Sequence, residues 1–212
     1  MTALFDFDGV VMDTEELYTV FWDRMGEKYL GVKNLSPSVK GQTLFQIYGK
    51  FFAGMEEEQK KITQELNDYE KDMPYVPVKG AFEFIAELRK RGVTTAIVTS
   101  SNKPKMGNVY RHYPEFKDLV GHIFTSEFVT RSKPDPQCFL NAMEALGAPV
   151  SETVVFEDSI NGLKAARASG AYVVGLLTSN PAEIVNPMCD YSIEDFTSFT
   201  PEELSKVSGI DF

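Results

Sequence analysis

The sequence is poor in the residues that several common classes of protein require. It has two cysteines among 212 residues, Cys138 and Cys189, and they lie far apart and fit no metal-binding spacing. Two thiols cannot cross-link a fold of this size, so we expect them to be reduced in a cytoplasmic protein. Uninterrupted apolar runs stay well below the length of a membrane span, and the first residues include no basic segment of the targeting type. We therefore expect no membrane partner.

Positive charge is also scarce. Lysine and arginine number 21 against 31 acidic residues, so the formal net charge is −10. A nucleic-acid-binding protein needs a positive surface against phosphates, which excludes nucleic acid as the expected partner. One small anion can still bind, because local donors or a metal override net charge. The hydrophobic share of 43% is typical of a globular protein, and we expect a monomer or a weak dimer.

The hydrophobic pattern divides the chain into a helical part and an alternating part. Residues 2–7 form a short apolar run that predicts a buried strand. Helical periodicity follows over 14–73, and Asp13 stands three residues before Glu16, the spacing of a helix-capping box. In the rest of the chain, the pattern predicts helices at 81–91, 105–113, 136–146 and 159–169, and strands at 93–99, 121–125, 153–156 and 171–177. A cap residue followed by proline predicts two further helix starts, at Pro181 and at Pro201.

Alternating strands and helices predict an α/β fold with a Rossmann-like parallel sheet and helices on both faces. The helical block enters after the first strand and leaves before the next helix, so we interpret it as an inserted, small all-helical domain. Trp22 lies at helical spacing and is expected in the core of that domain. Two connections can hinge, because few contacts cross them. The predicted domains are a core of 1–13 and 79–212 and an insertion of 14–78.

Polar residues stand at the ends of the predicted strands, which is where open α/β sheets bind ligands. Asp6 and Asp8 are two residues apart, so their side chains leave the same face of an extended chain. The later strands are followed by Thr99, Ser100, Ser101, Asn102, Lys133, Glu157 and Asp158. Four carboxylates at one edge repel unless a cation lies among them, and oxygen ligands suit Mg²⁺ better than Zn²⁺. His112 and His122 lie outside these positions, and we expect no catalytic role for them.

These strand-end residues resemble the four motifs of the haloacid dehalogenase-like (HAD) hydrolase superfamily, in order. The insertion after the first motif is similar to the helical cap of the phosphoglycolate phosphatase and β-phosphoglucomutase branch. The matching positions are Asp6-Phe-Asp8-Gly9 for the first motif, Thr99 for the second, Lys133 for the third and Glu157-Asp158 for the fourth.

The resemblance implies a phosphatase that works through an aspartyl-phosphate. Asp6 would be the nucleophile, and Asp8 the general acid and base. Mg²⁺ would be held by Asp6, by the main-chain carbonyl of Asp8 and by Asp158. Glu157 would be a further ligand or would hold a metal-bound water.

The resemblance also implies a set of phosphate-binding residues. Lys133 would bridge Asp6 and the phosphate as a compact point charge. Thr99 would offer its hydroxyl and Ser100 its main-chain N–H to the phosphoryl oxygens. Gly9 would let the main chain approach the phosphate closely.

The expected substrate is a small phosphorylated metabolite, because a closing cap excludes water and large substrates. Lys40, Gln42 and Thr43 are the residues that we expect on the cap loop beside the leaving group. Sugar phosphate, phosphoglycolate and pyrophosphate all remain open.

Three alternative functions are weighed against this one. A β-phosphoglucomutase-like phosphotransferase carries Lys-Gly-x-Ser-Arg and a cap histidine, where this chain has Leu44 in place of the arginine and Tyr18 in place of the histidine. A phosphonoacetaldehyde hydrolase needs a Schiff-base lysine on the first cap helix, where Lys28 stands late in a polar stretch. A non-catalytic phospho-accepting or binding module fits poorly with the Asp-x-Asp pair and the complete set of motifs. The residues favour the hydrolase.

Overall fold

A parallel sheet organises the chain, and the computed structural model describes residues 1–211 of it. Within those residues the sheet has six strands, in the spatial order β3-β2-β1-β4-β5-β6. All neighbouring strands are parallel, so each connection crosses a face of the sheet. The strand bounds are Thr2–Phe5 (β1), Thr94–Val98 (β2), His122–Phe124 (β3), Thr153–Glu157 (β4), Tyr172–Leu176 (β5) and Tyr191–Ile193 (β6).

Helices cover both faces of this sheet. In the described residues the α-helices are Glu15–Leu30 (α1), Leu44–Phe51 (α2), Glu56–Asp72 (α3), Ala81–Lys90 (α4), Lys103–His112 (α5), Phe116–Val120 (α6), Gln137–Leu146 (α7), Ile160–Ser169 (α8), Ala182–Val185 (α9) and Pro201–Ser208 (α10). Phe5 and Phe156 share one apolar cluster with α4, α5, α6 and α10, whereas Leu4 and Val155 share another with α7, α8 and α9. Both strand faces are buried, which explains the continuous apolar runs. The predicted Rossmann-like α/β fold is confirmed.

The register of the three central strands brings their ends to one level. Phe5 of β1 lies beside Ile97 of β2 and beside Phe156 of β4. The following residues, Asp6 and Glu157, therefore emerge together at the carboxyl edge. Chain order reverses between β1 and β4, and open α/β sheets bind ligands in the crevice at such a point.

Helices α1 to α3 lie between β1 and β2 in the chain, and we call residues 15–72 the helical unit. These helices bury an apolar cluster of their own that includes Phe21, Trp22, Met25 and Ile62. Trp22 thus packs inside the unit, as its spacing predicts. Across residues 1–211, every helix is too short or too polar to cross a bilayer.

Two segments connect the helical unit to the sheet, and they pair with each other. Asp13 N donates to the Val76 carbonyl at 2.8 Å, and Val78 N donates to the Val11 carbonyl at 3.0 Å. The paired segments hold the unit over the carboxyl edge of the sheet. The predicted domain limits stay a prediction: a core of 1–13 and 79–212 and an insertion of 14–78.

The start of α1 differs from the prediction. The sequence predicts a capping box with Asp13 as the cap, but Asp13 is exposed and the N-cap is Thr14. The Thr14 side chain makes no capping bond, because its hydroxyl donates to Asp8 Oδ1 at 2.5 Å. The Thr14 hydroxyl thus binds the residue after β1 and does not cap its own helix.

Two short elements, α6 and β6, were missing from the prediction. Each has five residues or fewer, which is too short for a clear periodicity. Both exist because of their neighbours: Phe116 of α6 packs into the core, and β6 pairs with β5 at the edge of the sheet.

Candidate active site

Three buried carboxylates meet where β1 and β4 end. One oxygen from each of Asp6, Glu157 and Asp158 lies within 4.8 Å of the others. Lys133 reaches this cluster from the loop before α7, and its Nζ lies 2.9 Å from Asp6 Oδ1 and 2.5 Å from Glu157 Oε1. Lys133 is 2% exposed, so this ammonium and its partners interact with little screening by water.

Glu157 has both of its carboxylate oxygens engaged. Oε1 faces Lys133, and Oε2 accepts hydrogen bonds from Asp158 N at 3.0 Å and from Ser159 N at 3.1 Å. Gly162 makes room for this carboxylate, because a Cβ on that residue would lie 1.8 Å from Glu157 Oε1. Glu157 thus anchors Lys133, and it is also one of the three carboxylates whose oxygens lie close enough together to hold a metal.

The two carboxylate oxygens of Asp158 differ in their hydrogen bonding. Its Oδ2 accepts a hydrogen bond from the Ser179 hydroxyl, whereas its buried Oδ1 has no hydrogen-bond partner among residues 1–211. Gly9 lies against it at a φ of +76°, and a Cβ there would lie 2.1 Å from Asp158 Oδ2. Glycine at position 9 is therefore needed for the approach of Asp158, besides any approach to a phosphate.

The electrostatics of this cluster suit a bound cation. Burial raises the pKa of Asp6 to about 7, against the opposing charge of Lys133. Burial also raises the pKa of Asp158, and the charges of Glu157 and Glu15 raise it further. Burial alone would lower the pKa of Lys133, but Asp6 and Glu157 together raise it. A hard divalent cation beside Asp6 and the free oxygen of Asp158 would offset the cost of burying these charges.

Asp8 stands apart from the cluster. Its carboxylate accepts hydrogen bonds from Thr14 Oγ1 at 2.5 Å, from Lys105 Nζ at 2.5 Å and from Ser101 Oγ at 2.9 Å. These donors come from the start of α1, from α5 and from the loop after β2. The side chain of Asp8 is thus not part of the acidic cluster.

Lys105 is a site residue that the sequence analysis missed. It is 3% exposed, and its Nζ lies 4.4 Å from the ring centroid of Tyr18 and 5.4 Å from that of Phe7. A signal was available, because a lysine in the first turn of a helix opposes the helix dipole and needs a compensating partner. Here the partner is Asp8.

The loop after β2 contributes two further polar residues. Thr99 is buried, and its Oγ1 accepts a hydrogen bond from Ser101 N at 3.0 Å. Ser100 lines the same cavity as Asp6 and Asp8. Ser101, which the sequence analysis did not assign to a role, binds Asp8 directly.

A sequence model described as haloacid dehalogenase-like hydrolase matches residues 1–170. The chain belongs to this family. The validoxylamine A 7'-phosphate phosphatase of Streptomyces hygroscopicus subsp. limoneus is 29% identical over 204 residues, which cover 92% of this chain and 93% of that protein. Hexitol phosphatase B of Escherichia coli K12 is 25% identical, with 96% of each chain covered.

The same fold is found among solved structures. A HAD hydrolase of family IA, variant 3, from Entamoeba histolytica superimposes with a TM-score of 0.83 over 98% of this chain and 99% of that one. Sequence identity is 23%, so this likeness shows the fold alone.

The helical unit of this HAD-like hydrolase covers the carboxyl edge and encloses a cavity of about 320 Å³. Asp6 and Asp8 line its floor, and Lys40, Gln42 and Thr43 line the opposite wall. Lys40 Nζ lies 3.1 Å from Glu15 Oε2, and Gln42 donates to a carbonyl of its own loop.

The same loop and the first turn of α2 also contact the core outside the cavity. Thr43 Oγ1 lies 3.2 Å from Ser132 Oγ, and Gln46 Nε2 donates to the Lys133 carbonyl at 3.0 Å. Asn161 Nδ2 donates to the Lys40 carbonyl at 3.3 Å. The helical unit is therefore closed onto the loops that present Lys133 and Asp158.

Proposed function

We propose that this hydrolase releases phosphate from a small phosphorylated metabolite, a sugar phosphate or a similar compound, in a Mg²⁺-dependent reaction with an aspartyl-phosphate intermediate. One observation carries the proposal: a buried Asp6–Lys133 ion pair lies beside an unpartnered oxygen of Asp158, and Asp6 itself lines a cavity of metabolite size. The two relatives named above are phosphatases of phosphorylated compounds, which supports the same class of reaction.

Asp6 is the proposed nucleophile. Its carboxylate attacks phosphorus, a bond forms between Asp6 and the phosphoryl group, and the bond to the leaving oxygen breaks. Lys133 holds Asp6 in place and supplies positive charge to the phosphoryl oxygens. Its own orientation comes from Glu157, which is a positioning role.

Asp8 is the proposed general acid and base. It donates a proton to the departing oxygen and later takes one from the water that attacks phosphorus, which frees Asp6 and inorganic phosphate. Thr14, Ser101 and Lys105 fix its carboxylate, which keeps the acid within reach of the leaving oxygen.

Mg²⁺ fits the donor set at this edge. Asp6, Asp158 and the main-chain carbonyl of Asp8 would hold it, because these are hard oxygen ligands and Asp158 Oδ1 lacks another partner in the described residues. When bound, the ion offsets the repulsion between a carboxylate nucleophile and an anionic phosphate.

The phosphate-binding group comprises Thr99, Ser100 and Gly9 together with Lys133. Ser100 lines the cavity, and we propose that its N–H binds a phosphoryl oxygen. Thr99 fixes the loop through Ser101 and offers its hydroxyl. The helical unit is the proposed cap, with Lys40, Gln42 and Thr43 beside the leaving group.

The experiment measures phosphate release from a panel of phosphorylated metabolites with Mg²⁺. The panel includes hexose phosphates, phosphoglycolate, pyrophosphate and β-glucose 1-phosphate. We expect turnover that is lost in Asp6→Asn and with EDTA but retained in Asp118→Asn, which makes the same change at an exposed acid. Release that persists in Asp6→Asn or in EDTA would contradict the proposal. Conversion of β-glucose 1-phosphate to glucose 6-phosphate without release would show a mutase instead.

A further inference from the structure

The cavity extends from Asp6 and Asp8 into the helical unit, where its lining is partly apolar and partly polar. Its volume of about 320 Å³ is at the small end of ligand pockets. One part of the wall is apolar and includes Trp22, Val39, Ile47 and Leu66. The rest is polar and includes Glu15, Tyr18, Lys40, Gln42 and Glu70.

The cationic groups of this lining are already neutralised. Among the described residues that line the cavity, the cations are Lys40 and Lys105. Lys40 pairs with Glu15 at 3.1 Å, and Lys105 pairs with Asp8 at 2.5 Å. Neither ammonium is left unpaired for a second anionic group of the substrate.

Glu70 adds negative charge to the same wall. It is 4% exposed, and its Oε1 accepts a hydrogen bond from the Tyr18 hydroxyl at 2.8 Å. A carboxylate or a second phosphate on the leaving group would enter beside Glu15 and Glu70 and would lose its water without gaining a cation. Burying an unpaired charge is costly, so such a leaving group is strongly disfavoured.

Hydroxyl groups fit this wall well. They donate to carboxylates and to amide oxygens, and they accept from amide and ammonium groups. The carbon skeleton between those hydroxyls can lie against the apolar part of the wall, to which Trp22 contributes an edge. A site that hydrogen-bonds hydroxyls also rejects analogues that lack them, because its polar groups are then left unpaired.

We infer that the leaving group is an uncharged polyhydroxylated alcohol, and that the Lys40–Glu15 ion pair makes the site reject substrates with a second anionic group. This inference rests on the proposed phosphatase function and narrows its substrate class. It assigns Glu15 a specificity role, since Glu15 occupies the ammonium that a second anion would need.

The test compares two substrates that differ at a single carbon. Glucitol 6-phosphate and 6-phosphogluconate share a six-carbon chain, but the carbon farthest from the phosphate is an alcohol in the first and a carboxylate in the second. We expect kcat/KM for the alcohol to exceed that for the acid by about 100-fold. A ratio near one would overturn the inference.

The ion pair is tested by a double substitution. Glu15→Gln frees Lys40, so the preference for the alcohol is expected to fall about tenfold, to about 10-fold. Adding Lys40→Met to Glu15→Gln removes the freed ammonium and is expected to restore the preference. Glu65→Gln is the matched control, because Glu65 pairs with Lys28 at 2.6 Å in the same helical unit but outside the cavity lining. An unchanged ratio in Glu15→Gln would overturn the role of the pair.

Two further readouts keep the result unambiguous. The first is inhibition of p-nitrophenyl phosphate hydrolysis by glucitol 6-phosphate and by 6-phosphogluconate. It uses the unaltered enzyme, so it does not depend on whether a variant folds. We expect glucitol 6-phosphate to be the stronger competitor. Equal competition would overturn the inference. Hydrolysis of p-nitrophenyl phosphate that depends on Asp6 supports the phosphatase even where the alcohol is not preferred. If no compound releases phosphate, both the proposed function and this inference are wrong.

Discussion

We call the buried cluster of Asp6, Lys133, Glu157 and Asp158 the floor of the site, and the helical wall of the cavity its roof. The floor and the roof hold their charged groups in different ways. On the floor, Asp6 and Glu157 stand at strand ends whose register fixes them, and two glycines clear the space that Glu157 and Asp158 occupy. On the roof, Glu15 and Glu70 come from different helices and pair with Lys40 and Tyr18 across the helical unit. The comparison teaches that main-chain geometry fixes the reactive groups, whereas helix packing fixes the groups that meet the leaving alcohol. Changes on the floor should therefore cost stability and chemistry together, and changes on the roof should alter selectivity.

Removing the central cation of the floor should have the largest effect. Lys133→Met leaves Asp6 and Glu157 buried without a partner, so we expect the free energy of unfolding to fall by about 3–5 kcal/mol, along with loss of turnover. Urea denaturation and phosphate release measure the two effects. Lys164→Met, at an exposed lysine of α8, is the control and should change neither. A stable Lys133→Met protein would show that water or rearrangement compensates these charges.

The support of Asp8 should affect chemistry more than binding. Lys105→Met removes a short contact to the proposed general acid, and we expect kcat to fall by about 10- to 100-fold with a smaller change in KM. Steady-state kinetics on the best substrate decides this. Lys103→Met changes an exposed lysine in the same helical turn and serves as control. A rise in KM with an unchanged kcat would instead place Lys105 among the substrate-binding groups.

Alanine substitutions at one glycine of each region compare the stability of the floor and of the helical unit directly. Gly162→Ala puts a Cβ 1.8 Å from Glu157 Oε1, so we expect a loss of about 1–3 kcal/mol in stability and a loss of activity. Gly49→Ala, inside α2, has open space around its Cβ and should gain about 0.5–1 kcal/mol. Chemical denaturation of both variants measures the difference. Equal effects at the two positions would contradict the comparison.

The last prediction concerns the pH dependence of the stability of the floor. The pKa of Asp6 rises from its ordinary 3.8 to about 7 in the folded protein, so folding holds this proton more tightly than the unfolded chain does. Stability from this group is fully present below pH 3.8 and is lost as the pH rises through about 7. We expect urea midpoints in EDTA to fall over this range, with a shallower slope in Asp6→Asn. Identical slopes would show that another group titrates.

The clustering of the acidic residues could be predicted because they stand at strand ends. Asp6, Glu157 and Asp158 are at positions that the apolar runs mark, and parallel strands bring such positions to one edge. Lys133 lies in the loop before α7, well beyond the end of β3, so its resemblance to a family motif singled it out and the apolar pattern did not. The α/β fold itself followed from the same alternation.

The roof and several supports could not be predicted in the same way. Glu70 lies in the last turn of a long, highly charged helix, where nothing in the local pattern marks it as buried. Thr14 binds Asp8 instead of serving as a side-chain cap, and Lys105 turns inward because Asp8 is there. The contacts of Glu70 and Lys105 join residues far apart in sequence, and that of Thr14 spans the loop between β1 and α1, so local helix and strand patterns carry little information about them.

The aligned register of β1 and β4 has a consequence for how such sequences can diverge. The spacing from Thr2 to Asp6 equals that from Thr153 to Glu157, and both are counted along paired strands. One residue inserted within β1 would turn Asp6 to the opposite face, because side chains alternate along a strand. Residues added to exposed connecting loops cost little, since the entropy of loop closure grows slowly with length. Related enzymes can thus exchange and lengthen their loops freely while the distances between reactive atoms are inherited unchanged.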